Sequence, residues 1–127
     1  DGGRVPLYGD GLNVRDWLFV ADNCRGVDLV LRQGTVGEIY NIGAGNERTN
    51  REITDAILAA LGKDESSVEY VEDRLGHDRR YSIATEKSRA LGWAPERTFE
   101  EAIEQTIRWY VDHEAWWKPL RDRVKNR

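Results

Sequence analysis

Methionine is absent from the 127 residues, cysteine occurs once, histidine twice and proline three times. The lone Cys24 excludes an internal disulfide. With no Cys/His cluster around it, neither a disulfide scaffold nor a zinc site is expected, and a reducing cytoplasm is the compartment that follows. Apolar runs fall far short of the roughly 20 residues that a membrane span requires. A basic surplus is also lacking. The 19 Lys and Arg stand against 23 Asp and Glu, a net charge of −4, whereas a domain that coats nucleic-acid backbone carries a clear positive excess. Nucleic acid and membrane are therefore excluded as expected partners. The chain starts at Asp1 and shows no signal-peptide order of charged, apolar and small residues, so it reads as a piece of a longer protein with the missing part upstream. What is present, 39% hydrophobic residues and five tryptophans, suits one compact domain of mixed α/β class.

The patterning predicts short strands and about four helices. Val5, Leu7 and Tyr8 form a short strand that enters a turn at Gly9-Asp10-Gly11, and the apolar run Trp17 to Val20 reads as a buried strand. Asp22 is placed to cap a helix with Cys24, Val27, Val30 and Leu31 on its core side, ending at Gly34 or Gly37. Glu38 to Gly43 is strand-like and leads into a turn at Gly43 to Asn46. Thr49 with Glu52, and Thr98 with Glu101, have capping-box spacing, each before an apolar helical stripe. The first stripe holds Ile53, Ala56, Ile57, Ala60 and Leu61, with Gly62 as its stop. The second holds Ala102, Ile103, Ile107, Tyr110 and Val111 and closes near Trp116-Trp117, before Pro119. Between them lie a strand over Val68 to Glu72, a charged loop over Asp73 to Arg80, a short strand over Tyr81 to Ile83, and a small helix from Thr85 to Leu91. Arg121 to Arg127 reads as a fraying tail.

Catalytic patterns are missing. No nucleophile set, phosphate loop or metal-ligand spacing occurs, and no tyrosine has a lysine four positions later, so no catalytic residue and no metal ligand is expected. Gly43-Ala44-Gly45 resembles the start of a dinucleotide loop, but Arg48 stands where a third glycine or alanine belongs. Two places are rich in anion donors. Arg15 sits between a glycine turn and a buried segment, where a guanidinium can fork onto phosphate; read from spacing alone it pairs with Asp16 or Asp10. The loop Asp73 to Arg80 holds three arginines and His77, and by composition it is a solvated turn with internal ion pairs. Asn46 and Asn50 are open to two readings, ligand contact or helix capping. Cys24 reads as core packing, His113 as a surface residue, and Trp109, Trp116 and Trp117 as a packing cluster.

A resemblance adds roles that spacing does not supply. Pro6 to Trp17, Tyr40 to Gly43, Asp73-Arg74-Leu75-Gly76-His77-Asp78-Arg79-Arg80-Tyr81, Leu91-Gly92-Trp93 with Pro95, and Thr106 to Tyr110 with Trp116-Trp117 occur in this order over nearly the whole chain. Together they resemble the C-terminal portion of the dTDP-glucose 4,6-dehydratases, extended short-chain dehydrogenases acting on nucleotide sugars. Asn13-Val14-Arg15-Asp16-Trp17 with Gly-His-Asp-Arg-Arg-Tyr is the most specific part. The resemblance implies that residues 1–127 are a nucleotide-sugar-binding domain, with NAD held by an N-terminal Rossmann domain outside this chain. It implies dTDP-glucose as ligand and these positions as its site: Pro6 and Tyr8 at the nucleoside, Arg15 at a diphosphate oxygen, Asn50 at the nucleotide, Arg74 and His77 at the diphosphate or sugar end. The reaction implied is internal redox: oxidation at C4 of the sugar, loss of water across C5 and C6, and return of hydride to C6, feeding deoxysugars such as rhamnose. A homodimer is implied for the complete enzyme. For this chain alone, inactivity is implied, and self-association through faces that would pack on the Rossmann sheet. Related UDP-sugar epimerases or decarboxylases, and a noncatalytic nucleotide-binding module, are the alternatives. Two departures stand out: Ala84, where aspartate is usual and Thr85 is expected to take over the helix cap, and Leu75, where proline is frequent.

Overall fold

The computed structural model describes residues 3–125. In chain order the elements are β1 (Val5–Tyr8), β2 (Val14–Asp16), α1 (Val20–Gln33), β3 (Glu47–Thr49), α2 (Asn50–Ala60), β4 (Val68–Val71), α3 (Glu86–Ala90), α4 (Phe99–Asp112) and α5 (Glu114–Lys125), with a single 3-10 turn at Glu65–Ser67. The class is mixed α/β, as expected.

Two small sheets carry the strands. β1 and β4 pair in parallel, Val5 opposite Val68 and Tyr8 opposite Val71, while β2 and β3 run antiparallel with Arg15 opposite Arg48. Alternation along β1 sends Leu7 inward, where it meets Leu58 and Val68 in the buried cluster, and leaves Pro6 and Tyr8 together on the exposed face. Both capping boxes form. Glu52 N–H donates to Thr49 Oγ1 at 3.1 Å and Thr49 N–H to the Glu52 carboxylate at 2.7 Å; the Thr98 and Glu101 pair repeats this at 3.2 and 2.9 Å. α2 lays Ile53 and Leu58 into the interior, and α4 packs against it.

Several elements differ from the sequence reading. Trp17 to Val20 is not a strand. Strand pairing is taken by Val14–Asp16, which has β3 as its partner, and Phe19 in extended conformation starts α1, whose first residue is Val20. Asp22 makes no cap; the N-cap is Phe19 and no side chain caps the helix. Nor is the Cys24, Val27 and Leu31 side of α1 a core face, for all three are exposed. The packed side carries Asp22 and Gly26 instead: a Cβ at Gly26 would lie 2.7 Å from the Trp93 indole nitrogen, so the missing side chain is what admits Trp93. Glu38 to Gly43 has no partner strand among the described residues. It is tied to the α3 region by Asn41 Nδ2 donating to Ala84 O at 3.0 Å and Ser88 Oγ donating to Asn41 O at 2.7 Å. Tyr81 to Ile83 forms no ladder beyond a single bridge of Arg80 with Val14. Thr85 stands at the N-cap of α3 without capping it; its hydroxyl accepts from Arg89 Nε instead, at 3.0 Å. The long helix closes at His113, before the tryptophans, and a fifth helix runs on through Pro119 to Lys125, so Arg121 to Lys125 are helical; the rest of the expected fraying tail, residues 126 and 127, lies outside the described residues. Pro119 removes one helical N–H donor from α5.

Candidate functional site

The site is assembled where the loop after β4 folds back over the turn after β1. Gly9 has φ +56°, and Gly11 N–H donates to Tyr8 O at 3.0 Å to close the turn. A Cβ at Gly9 would meet the Asp73 side chain at 3.0 Å, so the glycine lets the 73–81 loop approach β1 closely. Asp73 accepts from Arg74 N–H at 2.9 Å and lies 2.6 Å from His77 Nδ1, an interaction that leaves the His77 side chain nearly buried at 6%. The His77 hydrogen bond holds the Asp73 carboxyl below the ordinary carboxylate range. His77 meets the edge of the Tyr8 ring at 6.4 Å between centroids, and the Arg74 guanidinium lies 5.3 Å from the centre of the same ring.

The far end of the loop is laced to β2. Val14 N–H donates to Arg79 O at 2.8 Å and Tyr81 N–H returns to Val14 O at 3.1 Å. Arg15 therefore sits against the loop rather than against Asp16 or Asp10. Its Nη2 donates to Asp78 O at 2.9 Å, its Nη1 to Val14 O at 2.6 Å, and its guanidinium carbon lies 4.1 Å from the Tyr81 ring centre. The aspartates that spacing offered it are used elsewhere. Asp10 pairs with Arg79 at 2.8 Å, and Asp16 accepts the N–H groups of Gly45 and Asn46 at 3.1 and 2.9 Å. Arg80 takes Glu47 at 2.6 Å. The loop's ion pairs thus leave it for Asp10 and Glu47, apart from Asp73 with His77. Among the described residues neither Arg15 nor Arg74 has a carboxylate partner. Each rests on a tyrosine ring instead, and both guanidinium charges act on the Tyr81 hydroxyl, whose pKa the hydrogen bond to Asp78 raises.

Asn50 opens α2. Its N–H donates to Asn13 O at 3.0 Å, and Asn13 Nδ2 donates to Asp78 O at 3.3 Å, the carbonyl that also receives Arg15. Of the expected site residues, Tyr8, Arg74 and His77 are in mutual contact, Arg15 is joined to their loop, Asn50 is anchored behind it through Asn13, and Pro6 shares the Tyr8 face of β1. Asp78 and Tyr81 were not singled out by sequence reasoning. Their spacing of three across a turn, with the Tyr81 hydroxyl donating to Asp78 at 2.5 Å, was the available signal. The apolar crevices beside α4, lined by Phe19, Thr106 and Trp109 or by Ile57, Tyr110 and Trp117, do not include the arginines. Trp109 stacks on the exposed His113 at 4.8 Å and meets Trp116 edge-on, and Trp117 lies against the Tyr110 ring, but Trp109 and Trp116 are exposed, so the expected packing cluster forms only in part. Among the described residues no group of three His, Cys, Asp or Glu is placed to hold a metal, and no helix is long and apolar enough to cross a membrane.

The sequence and fold of the chain have counterparts of known kind. The family described as GDP-mannose 4,6 dehydratase matches residues 2–106. The chain belongs to this family. A dTDP-glucose 4,6-dehydratase of Streptomyces antibioticus is 56% identical over 124 residues, 97% of this chain and 37% of that protein. The crystal structure of a dTDP-glucose 4,6-dehydratase of Streptomyces venezuelae with NAD bound superposes with TM-score 0.89 at 52% identity, covering 94% of this chain and 37% of that one. A UDP-glucose 4-epimerase of Thermotoga maritima, solved with UDP-glucose, follows at TM-score 0.78 and 30% identity, over 86% of this chain and 35% of its own. The chain thus spans little more than a third of these relatives, and its fold is that of their C-terminal part.

Proposed function

We propose that this chain is the nucleotide-sugar-binding part of a dTDP-glucose 4,6-dehydratase, and that Tyr8, Arg15, Arg74 and His77 receive the thymidine diphosphate. The observation that carries the reading is the pair of guanidinium groups without carboxylate partners among the described residues, Arg74 at the start of the 73–81 loop and Arg15 on β2 against the far end of that loop. A diphosphate carries more than one negative charge and asks for convergent donors, and arginine supplies forked ones. Pro6 and Tyr8, the latter 40% exposed with Arg74 beside its ring, would line the nucleoside, and Asn50 would contact the nucleotide from the start of α2.

NAD is assigned to the remainder of the protein. The residues of this chain do not fit a dinucleotide: the amides of Gly45 and Asn46, which a pyrophosphate would need, already donate to Asp16, and the next helix starts only at Asn50. Alone, the chain would bind without turning over; in the complete enzyme, a cytoplasmic homodimer on this reading, it fixes the glucose by holding its diphosphate. The identity levels favour dTDP-glucose over a UDP-sugar. In the complete enzyme Arg15→Ala is expected to raise the Michaelis constant for dTDP-glucose about tenfold or more, the loss of a charged hydrogen-bonding group, with bound NAD still reducible. An unchanged Michaelis constant would remove Arg15 from the site.

A further inference from the structure

The Arg15 guanidinium is held at three points. Val14 O and Asp78 O accept from its two terminal nitrogens, and the Tyr81 ring lies 4.1 Å from its carbon. Tyr81 is itself fixed at both ends, by its backbone N–H on Val14 O at 3.1 Å and by its hydroxyl on the Asp78 carboxylate at 2.5 Å. Because the backbone bond is made to Val14, the residue before Arg15, the ring is brought under the arginine by the main chain. A free arginine side chain samples many rotamers and loses that freedom when an anion captures it. One already stacked on a ring has lost most of it beforehand.

We infer that Tyr81 is a positioning residue: its ring holds the Arg15 guanidinium, still without a counterion, in place for the diphosphate. This rests on the proposed role of Arg15. Tyr81 touches no ligand in this account and acts through Arg15. Its ring, not its hydroxyl, is the working part, since the attraction of a cation to an aromatic face needs no hydroxyl.

The test compares binding of dTDP and of thymidine, by calorimetry, to the wild-type chain and its Tyr81→Leu, Tyr81→Phe, Arg15→Ala and Arg15→Ala/Tyr81→Leu variants. Tyr81→Leu is expected to weaken dTDP about fivefold, the scale of a partly exposed cation–ring contact, and to leave thymidine unchanged. Tyr81→Phe should stay within about twofold of wild type, and in the Arg15→Ala background Tyr81→Leu should cost nothing further. If Tyr81→Leu does not fold, Tyr81→Gln, which also lacks a ring, takes its place. Equal losses for dTDP and thymidine, a Tyr81→Phe variant as weak as Tyr81→Leu, or unaltered dTDP binding in Tyr81→Leu would each overturn the inference while Arg15→Ala still weakens dTDP. Wild-type binding by Arg15→Ala would instead overturn the role of Arg15 itself.

Discussion

Helices α1 and α2 read alike in the sequence and end in opposite situations. Each has apolar residues at helical spacing, and each was expected to turn that stripe inward. In α2 the expectation holds in part: Ile53 is 5% exposed and Ala56 and Ile57 are half-buried, but Ala60 and Leu61 are exposed, and the buried face also takes in Thr54 and Leu58, the latter 6% exposed against Leu7 and Val68. In α1 most of the stripe faces out, with Cys24 exposed, Val27 and Leu31 at 55% and 82% and only Val30 half-buried, and the packed side is the one with Gly26 and the buried Asp22, which Arg25 pairs at 3.1 Å. Periodicity reports that a segment is a helix with two faces. What covers each face depends on its neighbours, and a glycine that admits a tryptophan can decide it.

Substitutions in the two helices should separate their stability contributions. Leu58→Ala removes a residue of the buried cluster and should cost about 3 kcal/mol of stability in denaturant unfolding, the usual scale for a cavity of that size. Thr49→Ala, which deletes the α2 cap, should cost about 1 kcal/mol in the same experiment, whereas α1, with no side-chain cap, has no equivalent position to lose. Acid should reach α2 through the same cap. Hydrogen bonds from Thr49 hold the Glu52 carboxyl below its ordinary value of 4.5, so the stability it contributes is complete above that pH and is lost as the pH falls through the lower, folded value. In Glu52→Gln the acid transition measured by circular dichroism should lose part of its steepness. The smallest effect belongs to α1: Leu31→Ser should change the stability of this chain by less than about 0.5 kcal/mol. A loss comparable to that of Leu58→Ala would mean that the α1 face is covered in solution.

The legible parts of the sequence were those fixed by local chemistry. Both capping boxes, the turn at Gly9 to Gly11, the stop of α1 at Gly34, the first of the two glycines considered, and the strand from Val68 follow from residues within a few positions of one another. Trp17 to Val20 and Glu38 to Gly43 were not legible, because an apolar run becomes a strand only when another strand lies beside it. The break at His113 escaped for a different reason: Pro119 marks where a helix is disfavoured, not where one ends. At the site, spacing supplied the donors but paired them wrongly. Arg15 stands beside Asp16 in sequence, yet Asp16 is turned onto the amides of Gly45 and Asn46, and only the fold reveals that Arg15 rests on Tyr81. The resemblance to a nucleotide-sugar enzyme supplied what spacing left open.

On the proposed reading, this face of the chain receives a thymidine diphosphate through Arg15 and Arg74. A titration of the 127-residue chain with dTDP, UDP and thymidine, followed by tryptophan fluorescence, decides whether it does. Saturable binding is expected in the order dTDP, then UDP, then thymidine, with the dTDP advantage over thymidine reduced in Arg15→Ala. Thymidine bound as tightly as dTDP by a folded chain, or no binding of dTDP at all, would contradict it.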